Sequence, residues 1–129
     1  MYQKVEEMEQ FLNNFQIKFQ VKKEVSSRLP KESSFLFVFE AFLPSKNCFE
    51  EIAFVSNTTD YCSRYLCSRL MQKHMGNSFK PFVHFIFSNL FLQKLSFVVL
   101  EQFSTENSFH VPFVLHPFSK NQTVIAFNK

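Results

Sequence analysis

The stretch Phe15-Gln16-Ile17-Lys18-Phe19-Gln20-Val21-Lys22 alternates apolar and polar residues without a break. A period of two puts Phe15, Ile17, Phe19 and Val21 on one face of a strand and Gln16, Lys18, Gln20 and Lys22 on the other. That predicts a half-buried antiparallel strand with one wet face. The residues before it obey a different rule. Tyr2, Val5, Met8, Leu12 and Phe15 recur at spacings of three and four, with Glu6, Glu7 and Glu9 between them. They predict an amphipathic helix of about three turns, whose acidic residues suit its N-terminal end. Asn13-Asn14 marks the break.

Ser26 to Ser34 is polar, contains Pro30 and reads as a loop. Phe35-Leu36-Phe37-Val38-Phe39 is apolar on both faces, which predicts a strand buried on two sides. Pro44-Ser45-Lys46-Asn47 is turn chemistry, and Ile52 to Val55 is a second apolar run, so the pair predicts a hairpin. A helix is expected next. Asn57-Thr58-Thr59-Asp60 supplies N-cap candidates, Lys73 and His74 lie in the last turn, and Gly76 stands at the C-cap. Tyr61, Tyr65, Leu66, Leu70, Met71 and Met75 would form its apolar stripe. Cys62-Ser63-Arg64-Tyr65-Leu66 and Cys67-Ser68-Arg69-Leu70 nearly repeat within it. Five residues turn a helix by about 140°, so the repeat presents no common face.

Beyond Pro81 the pattern weakens. Phe82 to Phe87 favours a strand. Leu90 to Phe103 fits either a helix with Leu92, Leu95, Val99 and Phe103 inward, or a strand over Phe97 to Leu100. Val111 to Leu115, interrupted by Pro112, reads as an edge strand, and Thr123 to Phe127 as a last short strand. No linker or composition shift divides the chain, so residues 1–129 are expected to form one domain. The fold class expected is α+β: a mainly antiparallel sheet with two or three helices packed on one face.

The bulk numbers agree with a globular domain: 129 residues, 46% hydrophobic, 19% charged, net charge +3. The composition is nevertheless unusual, with 20 Phe, a single Gly, a single Asp (Asp60) and three Ala. One glycine excludes every glycine-rich phosphate loop, since each needs at least two. Turns that require positive φ must therefore fall to Asn, and Asn47, Asn77, Asn89, Asn107 and Asn121 lie between apolar runs. So much Phe and so little Ala predict a loosely packed Phe-rich core, and self-association through strands such as Ser34 to Phe42.

Charge and cysteine set further expectations. Residues 1–60 carry −2 and residues 61–129 carry +5. That asymmetry is mild, so nucleic acid is an unlikely partner. Cys48, Cys62 and Cys67 are too few for a disulfide framework and suit a reducing compartment. Asn57-Thr58-Thr59 and Asn121-Gln122-Thr123 match the glycosylation pattern, but no signal peptide precedes them. An intracellular, cytoplasmic location is expected. The best membrane candidate, Phe82 to Leu100, carries His84, Asn89, Gln93 and Lys94, whose cost offsets its apolar residues.

No constellation rises to a chemical site. Cys62, Cys67 and His74 could be imagined around zinc, but Cys62 would point about 140° from Cys67 on a helix. His110 and His116 would lie about 20 Å apart along a strand. His84 reads as a half-buried, hydrogen-bonded histidine. Asp60 with a Cys and a His makes a triad only on paper. Glu50-Glu51 are adjacent and face opposite sides. Phe15, Lys18, Phe19 and Lys22 mimic a single-strand-binding surface, yet the aromatics occupy the face opposite the lysines. No catalytic, cofactor-binding or metal residue is assigned, no cofactor is expected, and no small-molecule substrate is evident. No motif points to a family. The Phe, Lys, Asn and Ser bias matches translated AT-rich DNA and suggests a lineage-restricted protein, such as an orphan gene product or a viral accessory protein. The function expected is non-enzymatic binding to a protein partner or to itself. The alternative is membrane association through Phe82 to Leu100.

Overall fold

The computed structural model describes residues 1–70 and 81–127. Helix α1 (Tyr2–Asn14) leads into β1 (Phe19–Lys23), β2 (Phe35–Leu43) and β3 (Cys48–Thr59). A short helix α2 (Tyr61–Tyr65), β4 (Phe85–Leu90), α3 (Leu92–Phe103) and a small hairpin of β5 (Ser108–His110) and β6 (Val124–Ala126) complete it. The main sheet runs β1-β2-β3-β4 with every pair antiparallel. The α+β expectation holds.

The core lies on one face of that sheet. Phe39, Ala41 and Leu43 of β2 meet Ile52, Ala53 and Val55 of β3, covered by Val5 and Leu12 of α1 and Leu95, Val98 and Val99 of α3. The registers Phe39↔Ala53 and Glu40↔Glu51 leave Ile52 as an extra residue. This bulge lets two consecutive side chains, Ile52 and Ala53, both enter the core. Phe39 is the one phenylalanine fully buried among the described residues. Phe15, Phe19, Phe37, Phe103 and Phe109 pack around an otherwise aliphatic centre. At the centre the large Phe39 is paired with the small Ala53 across β2 and β3.

Several elements differ from their sequence expectations, each for a physical reason. The alternation of Phe15 to Lys22 begins too early, because Gln16 is left-handed (φ 56°) and separates α1 from β1. The helix expected from Asp60 to Gly76 is a little over one turn among the described residues. Asn57 to Thr59 belong to β3, and Asn57 Oδ1 accepts the Thr59 N–H at 2.9 Å. Cys67 turns left-handed (φ 54°), after which the Leu70 N–H reaches the Pro81 carbonyl at 2.9 Å. Tyr65 and Leu66 of the expected stripe are exposed. Met71, Lys73, His74, Met75 and Gly76 lie outside the described residues. Pro112 cannot donate to a strand ladder, so Val111 to Leu115 does not form one; a 3₁₀ segment spans Phe113–Ser119.

The two readings of Leu90 to Phe103 resolve as helix. A helical membrane span over Phe82 to Leu100 fails at the same place. Phe82 to Leu100 divides between β4 and α3, and twelve helical residues reach only about 18 Å. No described helix is long and apolar enough to cross a membrane.

Candidate functional site on the open face of the sheet

The sheet face turned away from α1 and α3 is chemically distinct from the core face. Antiparallel pairing places directly opposed residues on the same side. Gln20 on β1 therefore stands beside Glu40 on β2, which stands beside Glu51 on β3. Phe42 opposes Phe49, and Val38 opposes Phe54. Glu50, the neighbour of Glu51, lines a cavity on the helix side with Leu43, Ile52 and Val98.

Glu40 organises the centre of this face. It is a lone charge within the apolar run Phe35–Leu43, with its side chain only 17% exposed. A carboxylate in that setting requires partners. Its Oε2 accepts a hydrogen bond from Gln20 Nε2 at 2.8 Å and pairs with Lys22 Nζ at 2.5 Å. Burial pushes the carboxyl up, but the Lys22 and Gln20 hydrogen bonds and the Lys22 charge outweigh it and hold the group below its usual value. Glu40 is thus an ionised acceptor at neutral pH.

Two further features flank it. Toward one end, Lys18 Nζ lies 4.6 Å over the Phe42 ring, whose centroid is 5.4 Å from that of Phe49. Toward the other, a cavity of about 410 Å³ is lined by Ser33, Phe54, Ser56, Thr58, Cys62 and Asn89, among others. Three of its hydroxyls are engaged: Ser33 Oγ and Ser56 Oγ share a hydrogen bond at 2.6 Å, and Thr58 Oγ1 donates to the Phe85 carbonyl. The face combines cations, aromatic surfaces and hydroxyl-lined space. Such a surface suits a ligand with a phosphate and a base.

The residues weighed from sequence fall elsewhere or acquire partners. Asp60 pairs with Arg64 at 2.6 Å. His116 Nε2 lies 3.0 Å from the Val111 carbonyl within the 3₁₀ segment, while His110 ends β5. Cys62 lines the cavity, Cys67 is exposed, and His74 lies outside the described residues, so that zinc set is not assembled within them. Lys18 and Lys22 do face away from Phe19, as their alternation requires. What one strand could not reveal is that Phe42 and Phe49, from the neighbouring strands, bring aromatic rings to the lysine side. Glu40 was missed outright. Its signal was a single charge inside an apolar strand.

The fold of this antiparallel sheet and its helices is shared with part of seryl-tRNA synthetases. The structure superposes on seryl-tRNA synthetase from Pyrococcus horikoshii complexed with ATP, with TM-score 0.90. The match covers 99% of this chain and 28% of that one at 20% identity, a likeness of fold. The cytoplasmic serine–tRNA ligase from Naegleria fowleri, in complex with AMP, matches with TM-score 0.81 and 27% identity, over 94% of this chain and 29% of that one. In sequence, the chain is 31% identical over 120 residues to the cytoplasmic serine–tRNA ligase of Arabidopsis thaliana, covering 92% of this chain and 27% of the relative. No family model matches. The chain spans about a quarter of the length of the curated relatives it matches.

These likenesses overturn several expectations. A lineage-restricted, non-enzymatic protein that acts by binding proteins does not fit a chain whose relatives are ligases. Nucleic acid as an unlikely partner, and the lack of an evident small-molecule substrate, fall for the same reason. The relatives are named for serine and tRNA, and the two similar structures hold ATP or AMP.

Proposed function

We propose that the chain contributes a nucleotide-handling wall to a serine–tRNA ligase acting in the cytoplasm. Joining the serine carboxylate to a tRNA hydroxyl forms an ester, which is unfavourable in water and must be driven by cleavage of ATP. A wall serving that reaction needs cations for phosphate, π-faces for the base and fixed polar groups for orientation. The open face offers Lys18 and Lys22, the Phe42–Phe49 pair, and Glu40 held by Gln20. One observation carries the reading: this constellation lies on a sheet whose fold and sequence resemble serine–tRNA ligases over more than nine-tenths of the chain. The cytoplasmic assignment is supported by the relatives' names.

Amide-shift mapping of the full chain with AMP and with a non-hydrolysable seryl-adenylate mimic tests it. Perturbations are expected around Lys22, Glu40, Phe42 and Phe49, stronger for the mimic than for AMP alone. Perturbations confined to α1 and α3, or none with either ligand, would remove the proposal.

A further inference from the structure

We propose that the cavity between α3 and the β2–β3 turn, on the helix side of the sheet, binds an α-amino acid with a large apolar side chain. The cavity lies across the sheet from Glu40, so this inference is independent of the reading of the open face.

Three charged side chains stand where the burial pattern calls for apolar ones. Glu50 is directly opposed to the fully buried Ala41, so the two share the core face of the sheet. Its carboxylate has one loose partner, Lys46 Nζ at 3.9 Å. On α3, Lys94, Val98 and Glu101 recur at spacings of four and three and so lie along one stripe. Val98 is buried in the core, with one charge on either side of it along the helix. Glu101 accepts from the Ser45 hydroxyl at 2.8 Å. The Lys94 ammonium lies 5.1 Å over the Phe91 ring and has no carboxylate partner among the described residues.

These groups line one cavity of about 400 Å³, whose floor is Leu43, Ile52 and Val98, all buried. That volume suits a small ligand. Lys46 and Lys94 balance Glu50 and Glu101, so the charges around the floor cancel. A simple anion would meet two carboxylates there, and a simple cation two ammonium groups. A zwitterion can use both signs at once. Its carboxylate would meet the Lys94 ammonium, its ammonium the Glu50 carboxylate, and its side chain Ile52 and Val98. Serine is disfavoured, because its hydroxyl would meet only hydrocarbon on that floor.

The test is amide-shift titration of the full chain with L-leucine, L-alanine, leucinol and 4-methylpentanoate. Saturable leucine shifts are expected around Glu50, Lys94 and Phe97. Leucine should bind at least about tenfold more tightly than alanine, for three further carbons removed from water. Leucinol lacks the carboxylate and 4-methylpentanoate the ammonium, and each should bind about tenfold more weakly than leucine. Lys94→Met should weaken leucine by a similar factor and leave leucinol unchanged, a contrast that loss of packing would not produce. If that variant does not fold, the four ligands on the wild-type chain still decide. No saturable shift, shifts centred on Glu40 and Phe42, alanine binding as well as leucine, or either single-charge analogue matching leucine would each overturn the proposal. None of these outcomes bears on nucleotide binding at the open face, which is tested separately.

Discussion

Gln102 on α3 grips Lys18 with both ends of one amide. Its Oε1 accepts the Lys18 backbone N–H at 2.8 Å, and its Nε2 donates to the Lys18 carbonyl at 3.3 Å and to the Phe42 carbonyl at 2.8 Å. The preceding residue, Glu101, accepts from the Ser45 hydroxyl at 2.8 Å and so holds the β2–β3 turn. Helix α3 thus fixes from behind the backbone that presents Lys18 and Phe42 to the open face. The geometry of the open face thus depends on packing on the other side of the sheet.

Replacing Gln102 should therefore cost stability and disturb the open face together. Gln102→Ala removes three hydrogen bonds to backbone groups that are in part buried. We expect a loss of about 1–2 kcal/mol in urea unfolding. Glu101→Ala, whose partner Ser45 is exposed to water, should lose about half as much. A Gln102→Ala chain as stable as wild type would show that the clamp contributes nothing beyond what water supplies.

The phenylalanines divide into two groups with very different consequences. Phe39 is fully buried at the centre of the core, so Phe39→Ala should destabilise by about 3–5 kcal/mol through lost burial and a residual cavity. Phe118, 84% exposed, should change stability by less than about 0.5 kcal/mol when truncated. Urea midpoints for the two variants decide the matter. Equal effects would mean that the core is spread over many rings rather than centred on Phe39.

These contrasts mark what could be read in the sequence and what could not. Periodicity located α1 and the β2–β3 hairpin, because burial imposes a period that survives an odd composition, but it left helix and strand open for α3 and placed inward Leu92, which is exposed. It failed at Cys67 and Pro112, where one backbone angle or one missing N–H overrules the neighbouring pattern. Asparagine was expected to take the positive-φ positions. Asn47 and Asn121 do, but Gln16, Thr59, Cys67 and Lys120 share the task. The site was illegible for a different reason. Gln20, Lys22, Glu40, Phe42 and Glu51 come from three strands, and only register brings them together. Glu40 alone left a mark, as one charge in an apolar run.

The lowered Glu40 titration sets a pH dependence. A carboxyl whose folded-state pKa lies below its unfolded value, about 4.3, contributes stability that is fully present above that value. The contribution is lost as pH falls through the folded-state pKa. Burial works against this depression, and the Lys22 and Gln20 contacts outweigh it. Urea midpoints measured from pH 7 down to pH 3 should fall less steeply for Glu40→Gln than for wild type. Parallel acid limbs would mean that Lys22 gives Glu40 no advantage over the unfolded chain.

The left-handed Gln16 offers the sharpest local test. Helix α1 ends at Asn14, Phe15 caps it in the right-handed region, and Gln16 turns to φ 56° with its N–H on the Asn13 carbonyl at 2.9 Å. That is the position where glycine commonly closes a helix, since a Cβ there costs about 1–2 kcal/mol. Glycine also adds freedom to the unfolded chain, which offsets part of the gain. Gln16→Gly should therefore stabilise by about 0.5–1 kcal/mol, whereas Gln16→Val, β-branched at positive φ, should destabilise. The opposed signs separate backbone strain from any contact of the glutamine side chain. If truncation of that side chain were the dominant effect, both substitutions would destabilise, and the turn between α1 and β1 would owe its shape to the glutamine rather than to the left-handed backbone.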